Sequence, residues 1–445
     1  MTPPRRQLGL LVTAAIVIAN MIGTGVFAGT GFNARALHDP TTILIAWFVG
    51  GVVALCGATC YAELGTMMPK AGGEYVYLRE AYHPALGFVS GWVSLTAGFS
   101  AAIASAAIAF ATYVAALTGH AEHAKLIACG LIVAVTALHA FDTKVGGRVQ
   151  AAFTITKVAL IVGFIVFGFA SGNGDWSHFQ SQHGGLANLG TTAFAIQLMY
   201  ISFAYSGWNA AAYIAGEVEK PERTLPRSLL LGTGIVMALY VLLNVIYFYA
   251  VPSDTLAGPP DKFAPVIEVG ATAGAALFGS RGGNIITGLI SIALVSAVSA
   301  MIMAGPRVYA AMAQDRALPP QLAWYSKRGV PTVAVLVQGA LGVLFVLVGD
   351  LGELLRFSGF TLAVIAALTC GALFIMRRRG MASAYRTPFY PIPPLVFIAV
   401  SVWIAYAQFR TNPKELAVAV GVLAIGAALY ATLVKPPATG VDSSG

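Results

Sequence analysis

The chain has 445 residues, 58% of them apolar and only 10% charged, with a formal net charge of +8; an ordinary soluble chain is about 25% charged. No polar block is long enough to fold by itself, which excludes a soluble multidomain protein and leaves a single membrane domain spanning residues 1–445. No basic stripe interleaved with stacking aromatics suggests nucleic acid as a partner, so the partner of the surface is the lipid bilayer.

The first apolar run follows Arg5 and Arg6, continues well past the length of a signal-peptide core and ends in no small-residue cleavage site, so it reads as a retained helix. Windows of about 20 apolar residues predict twelve spans, beginning near residues 9, 41, 84, 124, 147, 190, 228, 282, 331, 352, 389 and 415. An even count puts both termini on one side. Eighteen Lys and Arg fall on that side and seven on the other, with Lys157 left inside the fifth span. Cytoplasmic loops carry the basic excess, which predicts a multi-pass protein of the cytoplasmic (inner) membrane with both termini cytoplasmic. Cys56, Cys60, Cys129 and Cys370 all lie in predicted spans, so neither a disulfide framework nor a zinc site is indicated.

Span one is interrupted at "IGTGVF" and span six at "FAYSGWN", Phe203 to Asn209. Each break opens a set of five spans, residues 9–170 and 190–378, and residues 388–435 supply two further helices. An odd number of spans per repeat turns the second copy upside down, the pattern of an inverted repeat with a binding site at the bilayer midplane. In hydrocarbon an unwound backbone survives only where it lines a cavity or binds something. The N-terminus of the second half-helix offers free N–H groups to an anion, and the C-terminus of the first half offers carbonyls to a cation. The N–H groups of Thr24, Gly25 and Val26 are thus candidates for a carboxylate. Carbonyls around Met21 and Ile22, and around Phe203 and Ala204, are candidates for an ammonium. With Gly23, Ser206 and Gly207 completing the two breaks, these residues form a predicted site for an α-amino acid. Alternatively, Gly25 and Gly29 form a small-residue face for helix packing.

Several stretches then appear in order: "MIGTGVF", "AELGTMMPKAGGEYVYLREAY", "FAYSGWNAAAYIAGEVEKPERTLPRS" and "AGPRVYAAMAQDRALP". Together they resemble the amino acid-polyamine-organocation (APC) transporters, and within them the bacterial relatives of the L-type amino-acid exchangers. The resemblance implies an all-α LeuT-type fold of 12 transmembrane helices, a 5+5 inverted repeat with helices 1 and 6 broken, and secondary active transport by alternating access. It implies that Phe203 is an aromatic gate, and that Trp208 and Asn209 support the unwound segment.

Lys157 lies about ten residues past Arg148, roughly 15 Å along a helix, out of reach of the interface. A lysine at a helix centre costs about 2.5–3.5 kcal/mol, which argues for a role. In the resembling family a lysine in "TKVALIV" sits where sodium-coupled relatives hold sodium, so sodium-independent transport is expected, with Lys157 coupling it to protons or letting it run as exchange. No Asp or Glu falls in the middle of a span; Glu63, Glu217 and Asp350 lie near ends. Neutral amino acids are therefore favoured over cationic ones or polyamines, with Ser206, Ser296 and Ser299 as candidate wall residues. The loop "LTGHAEHAKL" lacks the cysteine by which animal L-type members attach a heavy subunit, so no disulfide-linked subunit is expected. Its His120, Glu122 and His123 read as a solvated loop, Arg377–Arg379 as topology anchors, and Arg307 as an anchor or inner-face ion-pair partner. No cofactor and no resident metal is called for, and no mid-span cluster of His, Asp or Glu supports an enzyme. A channel or amino-acid receptor remains the alternative from another class.

Overall fold

The computed structural model describes residues 8–70, 72–141, 143–180, 185–326 and 329–434, with side chains described for all of these except 141–152, 415 and 433. The basic residues Arg5, Arg6, Lys327, Arg328 and Lys435, the side chains of Lys144 and Arg148, and both termini lie outside that description. Among the described residues the chain is helical throughout, and its only extended pairing is a parallel bridge between Leu8 and Val218.

The helices are α1 (Leu10–Met21), α2 (Thr24–Leu37), α3 (Pro40–Met67), α4 (Glu74–Ala81), α5 (Pro84–Thr118), α6 (Ala124–Phe141), α7 (Thr143–Ala170), α8 (Thr192–Tyr205), α9 (Ala210–Tyr213), α10 (Pro221–Ala250), α11 (Ser253–Ala257), α12 (Val269–Gln314), α13 (Thr332–Val348), α14 (Leu351–Arg378), α15 (Ile392–Thr411) and α16 (Pro413–Leu433). Eight described helices are long and apolar enough to cross a membrane, or nine when α1 and α2, bent by 40° at their junction, count as one broken span. Three shorter apolar helices, Thr192–Tyr205, Thr332–Val348 and Leu416–Thr432, complete the bundle.

Local chemistry sets the ends. Asp39 caps α3 by accepting from the Thr42 N–H at 2.7 Å, with Pro40 in the first turn, and Asp350 with Glu353 forms a reciprocal capping box for α14. Gly119 closes α5 in the left-handed conformation. Within α5, Ser94–Ser100 is wound as a π-helix, the looser winding that often marks a functional site. The predicted start near residue 282 falls inside α12 because Gly279, at φ 72°, joins two helical segments there.

The broken helices cross in opposite senses: α1 packs on α9, and α2 packs along α8. Around them α10 lies against both α1 and α3, while α14 and α15 flank α8.

Arg377 does more than anchor topology, the role its place after a span predicts. Its Nε and Nη2 donate to both oxygens of Glu63 at 2.8 and 2.7 Å, and its guanidinium lies 3.7 Å over the Tyr390 ring. The Thr387 N–H adds a third bond to Glu63 at 2.7 Å. Glu63 is 1% exposed, so removing its partner strands a buried charge, a loss of about 3–5 kcal/mol. Arg377→Ala is expected to lower the melting temperature of the detergent-solubilised protein by several degrees, whereas Arg378→Ala, at an exposed neighbour, leaves it unchanged.

Candidate functional site

The first break consists of Ile22 and Gly23. Met21 is the last residue of α1, Ile22 takes ψ 102°, Gly23 is extended, and α2 starts at Thr24 with no side chain capping it. The N–H groups of its first turn therefore have neither an intrahelical carbonyl nor a capping side chain. The second break is displaced from the sequence expectation: α8 runs on through Phe203, Ala204 and Tyr205, and the chain unwinds at Ser206 and at Gly207, where φ is 97°. A Cβ at Gly207 would also lie 2.7 Å from the carbonyl oxygen of Asn20, so glycine is required there on both counts.

The two breaks touch through Gly25. A Cβ there would sit 2.3 Å from Ala204 Cα, while one at Gly29 would meet nothing nearer than 4.0 Å. The pair is therefore not a shared packing face. Gly25 alone makes the close approach, and it makes it to the other broken helix.

A cavity of about 880 Å³ opens at this contact. Gly23, Thr24 and Gly25 line it from one break, and Phe203, Ala204, Ser206 and Gly207 from the other. Ile22 and Val26 are buried outside the wall. The remaining lining near the breaks is small and apolar: Gly98 and Ala102 of α5, Ala297 and Ala300 of α12, and Ala363 of α14, with Phe99 and Met301 among them. The cavity extends along Leu8, Leu11 and Ile16 on one side and Met303, Arg307 and Ala311 on the other. In the opposite direction the first ten residues of α2, from Thr24 to Asn33, are buried, and Phe32 stacks on Tyr200 with ring centroids 5.2 Å apart. Access is thus from the Leu8 end.

The expected carbonyl acceptors already have partners. Tyr240 Oη donates to Met21 O at 2.6 Å and reaches Ala204 O at 3.2 Å, and Phe203 O takes the Ser206 N–H at 2.9 Å. Lys157, 1% exposed, donates from Nζ to Ile22 O at 3.0 Å. It touches the first break from behind and does not line the cavity.

Ser296 and Ser299 do not form the wall. Ser299 turns away, its Oγ 2.8 Å from His139 Nε2, and Ser296 is buried in helix packing. Arg307 lies in the lining and donates to the Met303 carbonyl, with no ion pair among the described residues. His120 and His123 each place Nδ1 3.1 Å from Glu122, all three exposed.

Sequence reasoning missed Tyr240 and Glu74. Glu74 lines the cavity and is 4% exposed. Its carboxylate accepts from Tyr61 Oη and Asn209 Nδ2, both at 2.7 Å, and from Tyr213 Oη. Burial pushes its carboxyl above the ordinary range, against the pull of these three bonds. Trp208 packs edge-on against Tyr61, centroids 4.7 Å apart, and with Asn209 also lines the cavity. The signal for Glu74 was the glycine pair before it. For Tyr240, one tyrosine within an apolar span, there was none.

A family model described as amino acid permease matches residues 8–433. The serine/threonine exchanger SteT of Bacillus subtilis is 30% identical over 441 residues, covering 98% of each chain. The b(0,+)-type amino acid transporter 1 of Mus musculus is 27% identical, covering 93% of this chain and 84% of its own. The human large neutral amino acids transporter small subunit 2 is 24% identical, covering 96% and 80%. Two broken helices meeting over a cavity, in a chain matched from Leu8 to Leu433, thus belong to the amino acid permease family of the APC superfamily, whose members are membrane transporters of amino acids and not enzymes.

Proposed function

We propose that this protein carries neutral α-amino acids across the cytoplasmic membrane by alternating access, independently of sodium, in a LeuT-type bundle of twelve spans with both termini inside. The observation that carries the reading is the uncapped N-terminus of α2 at the point where Gly25 meets Ala204, inside a cavity open at one end. A carboxylate there takes the N–H groups of Thr24, Gly25 and Val26. The ammonium goes to the carbonyls of Phe203 and Ala204, since a carbonyl oxygen that already holds one hydrogen has a second lone pair, while the Ile22 carbonyl is held by Lys157. Phe203 serves as the gate, Ser206 and Gly207 shape the far wall, and Gly23 allows the turn between them.

Neutral side chains fit the Gly, Ala and Met lining. Of the carboxylates in the cavity, Glu74 is engaged by three donors and Glu217 lies at the open end, where its carbonyl pairs with the Leu8 N–H. The relatives named for serine/threonine exchange and for large neutral amino acids support the same class. They also favour exchange over symport. The loop at residues 117–126 has no cysteine, consistent with work without a disulfide-linked subunit.

A thermal-shift screen of the solubilised protein against the twenty amino acids tests the substrate class, because a ligand of the native state stabilises it by mass action. Neutral L-amino acids are expected to raise the melting temperature; a rise with arginine and lysine alone would overturn the neutral reading. Gly25→Ala should abolish that ligand-induced rise and Gly29→Ala should preserve it. Lys157→Ala removes a charged donor worth about 1.5–3 kcal/mol, so counterflow in proteoliposomes is expected to fall about tenfold or more and to lose its dependence on pH. If rate and pH profile both survive, Lys157 has no part in coupling.

A further inference from the structure

The motif Gly72-Gly73-Glu74 borders the cavity but is given no contact with substrate in the site proposed above, and its geometry is specific. Gly72 and Gly73 hold φ of 123° and 50°, values that side chains disfavour. A Cβ on Gly73 would meet the Tyr213 ring at 2.8 Å, and the Gly72 N–H donates to the Tyr213 carbonyl at 3.2 Å. The turn is pressed against α9 and delivers Glu74 beneath the second break.

The segment it meets cannot hold itself. α9 has only four residues and gives way to a 3₁₀ turn at Ala215–Glu217; so short a helix is far below the length at which helices persist unaided. Asn209 stands at its N-cap, where an asparagine normally bonds back to the helix. Here it makes no capping bond, and its Nδ2 goes to Glu74 instead. Tyr213, at the other end of α9, bonds the second Glu74 oxygen, and Tyr61 of α3 supplies the third donor.

We propose that Glu74 is a positioning residue for transport, whose carboxylate clamps Asn209 and Tyr213 to α3 and so keeps the chain after Gly207 unwound over the cavity. The clamp has a second arm. Past Glu74, α4 presents Tyr75 and Arg79, each 2.9 Å from Asp315 at the end of α12. The second break is therefore linked through one short helix to the far wall of the cavity.

The transport arm of the test rests on the function proposed above, and the exchange arm does not. Hydrogen–deuterium exchange of the full chain compares wild type with the isosteric Glu74→Gln. Exchange over residues 207–214 is expected to rise about tenfold, with α3 and α14 unaltered. Asn209→Asp should loosen the same segment, and the double variant Glu74→Gln/Asn209→Asp, which re-forms the amide–carboxylate pair with its roles reversed, should return to within about threefold of wild type. Unchanged exchange in Glu74→Gln, or a double variant as loose as the singles, overturns the proposal. Should Glu74→Gln fail to fold, Tyr213→Phe removes one donor and is expected to give the same local rise; no rise there is equally fatal. In L-serine and L-leucine counterflow, Glu74→Gln should lower the maximal rate about tenfold with KM within about threefold, and the double variant should recover it. A wild-type chain that counterflows neither amino acid refutes the transport reading, and the exchange experiment then decides the clamp by itself.

Discussion

At the middle of the bundle two backbones come together with no side chain between them. Gly25 presents bare Cα to Ala204, so close that even a methyl group would overlap it. Both residues are helical, Gly25 in the first turn of α2 and Ala204 in the last turn of α8, so the contact brings the two breaks beside one another. The glycines therefore serve one geometry together: Gly25 permits the approach, Gly207 turns the second chain away with φ 97°, and the extended Gly23 lets α2 restart at Thr24.

Opening two helices inside hydrocarbon leaves polar groups that need partners, and the surrounding helices supply them unevenly. α10 brings Tyr240 to the last carbonyls of both first halves, α7 brings Lys157 to Ile22, and α4 brings Glu74 to the start of the second half of the other helix. The first turn of α2 receives no side-chain cap. What is satisfied fixes the shape of the site, and what is left bare is the end of a helix dipole with positive character. That imbalance is the basis of the carboxylate site proposed above.

Much of this was legible in the amino-acid order because it follows from strong local signals. Apolar runs located the helices, Gly-Thr-Gly and Ser-Gly-Trp-Asn located the breaks, and a lysine deep within a span announced itself by its cost. The contacts of Glu63 with Arg377, Glu74 with Asn209 and Ser299 with His139 were not legible, because they join residues 314, 135 and 160 positions apart. Periodicity says nothing about which helices become neighbours. Ser299 shows the limit at short range too: a shift of one position around α12 separates the lining Ala300 from a serine bonded to another helix. The second break began later than its motif because Phe203 to Tyr205 are good helix residues packed in the core, and only the left-handed Gly207 compels unwinding.

The two ends of the cavity are held by different kinds of bond. Toward Leu37, α2 is fastened to its neighbours by buried side chains: Thr30 to Asn244 at 2.7 Å, Asn33 to Gln197 at 2.9 Å, and Tyr113 to the Phe27 carbonyl at 2.8 Å. Toward Leu8, the start of α1 is tied by backbone bonds to Glu217 and Glu219 in the segment after α9. Among the described residues no hydrogen bond crosses from α1 to α12 on the opposite wall. The halves α1 and α9 are thus joined to each other at the open end, whereas α2 and α8 are joined to the body of the bundle at the closed one. A motion that closes the open end has to carry α1 and the chain after α9 together, and α4, bonded to α9 through Glu74 and to α12 through Asp315, spans the gap that such a motion would narrow.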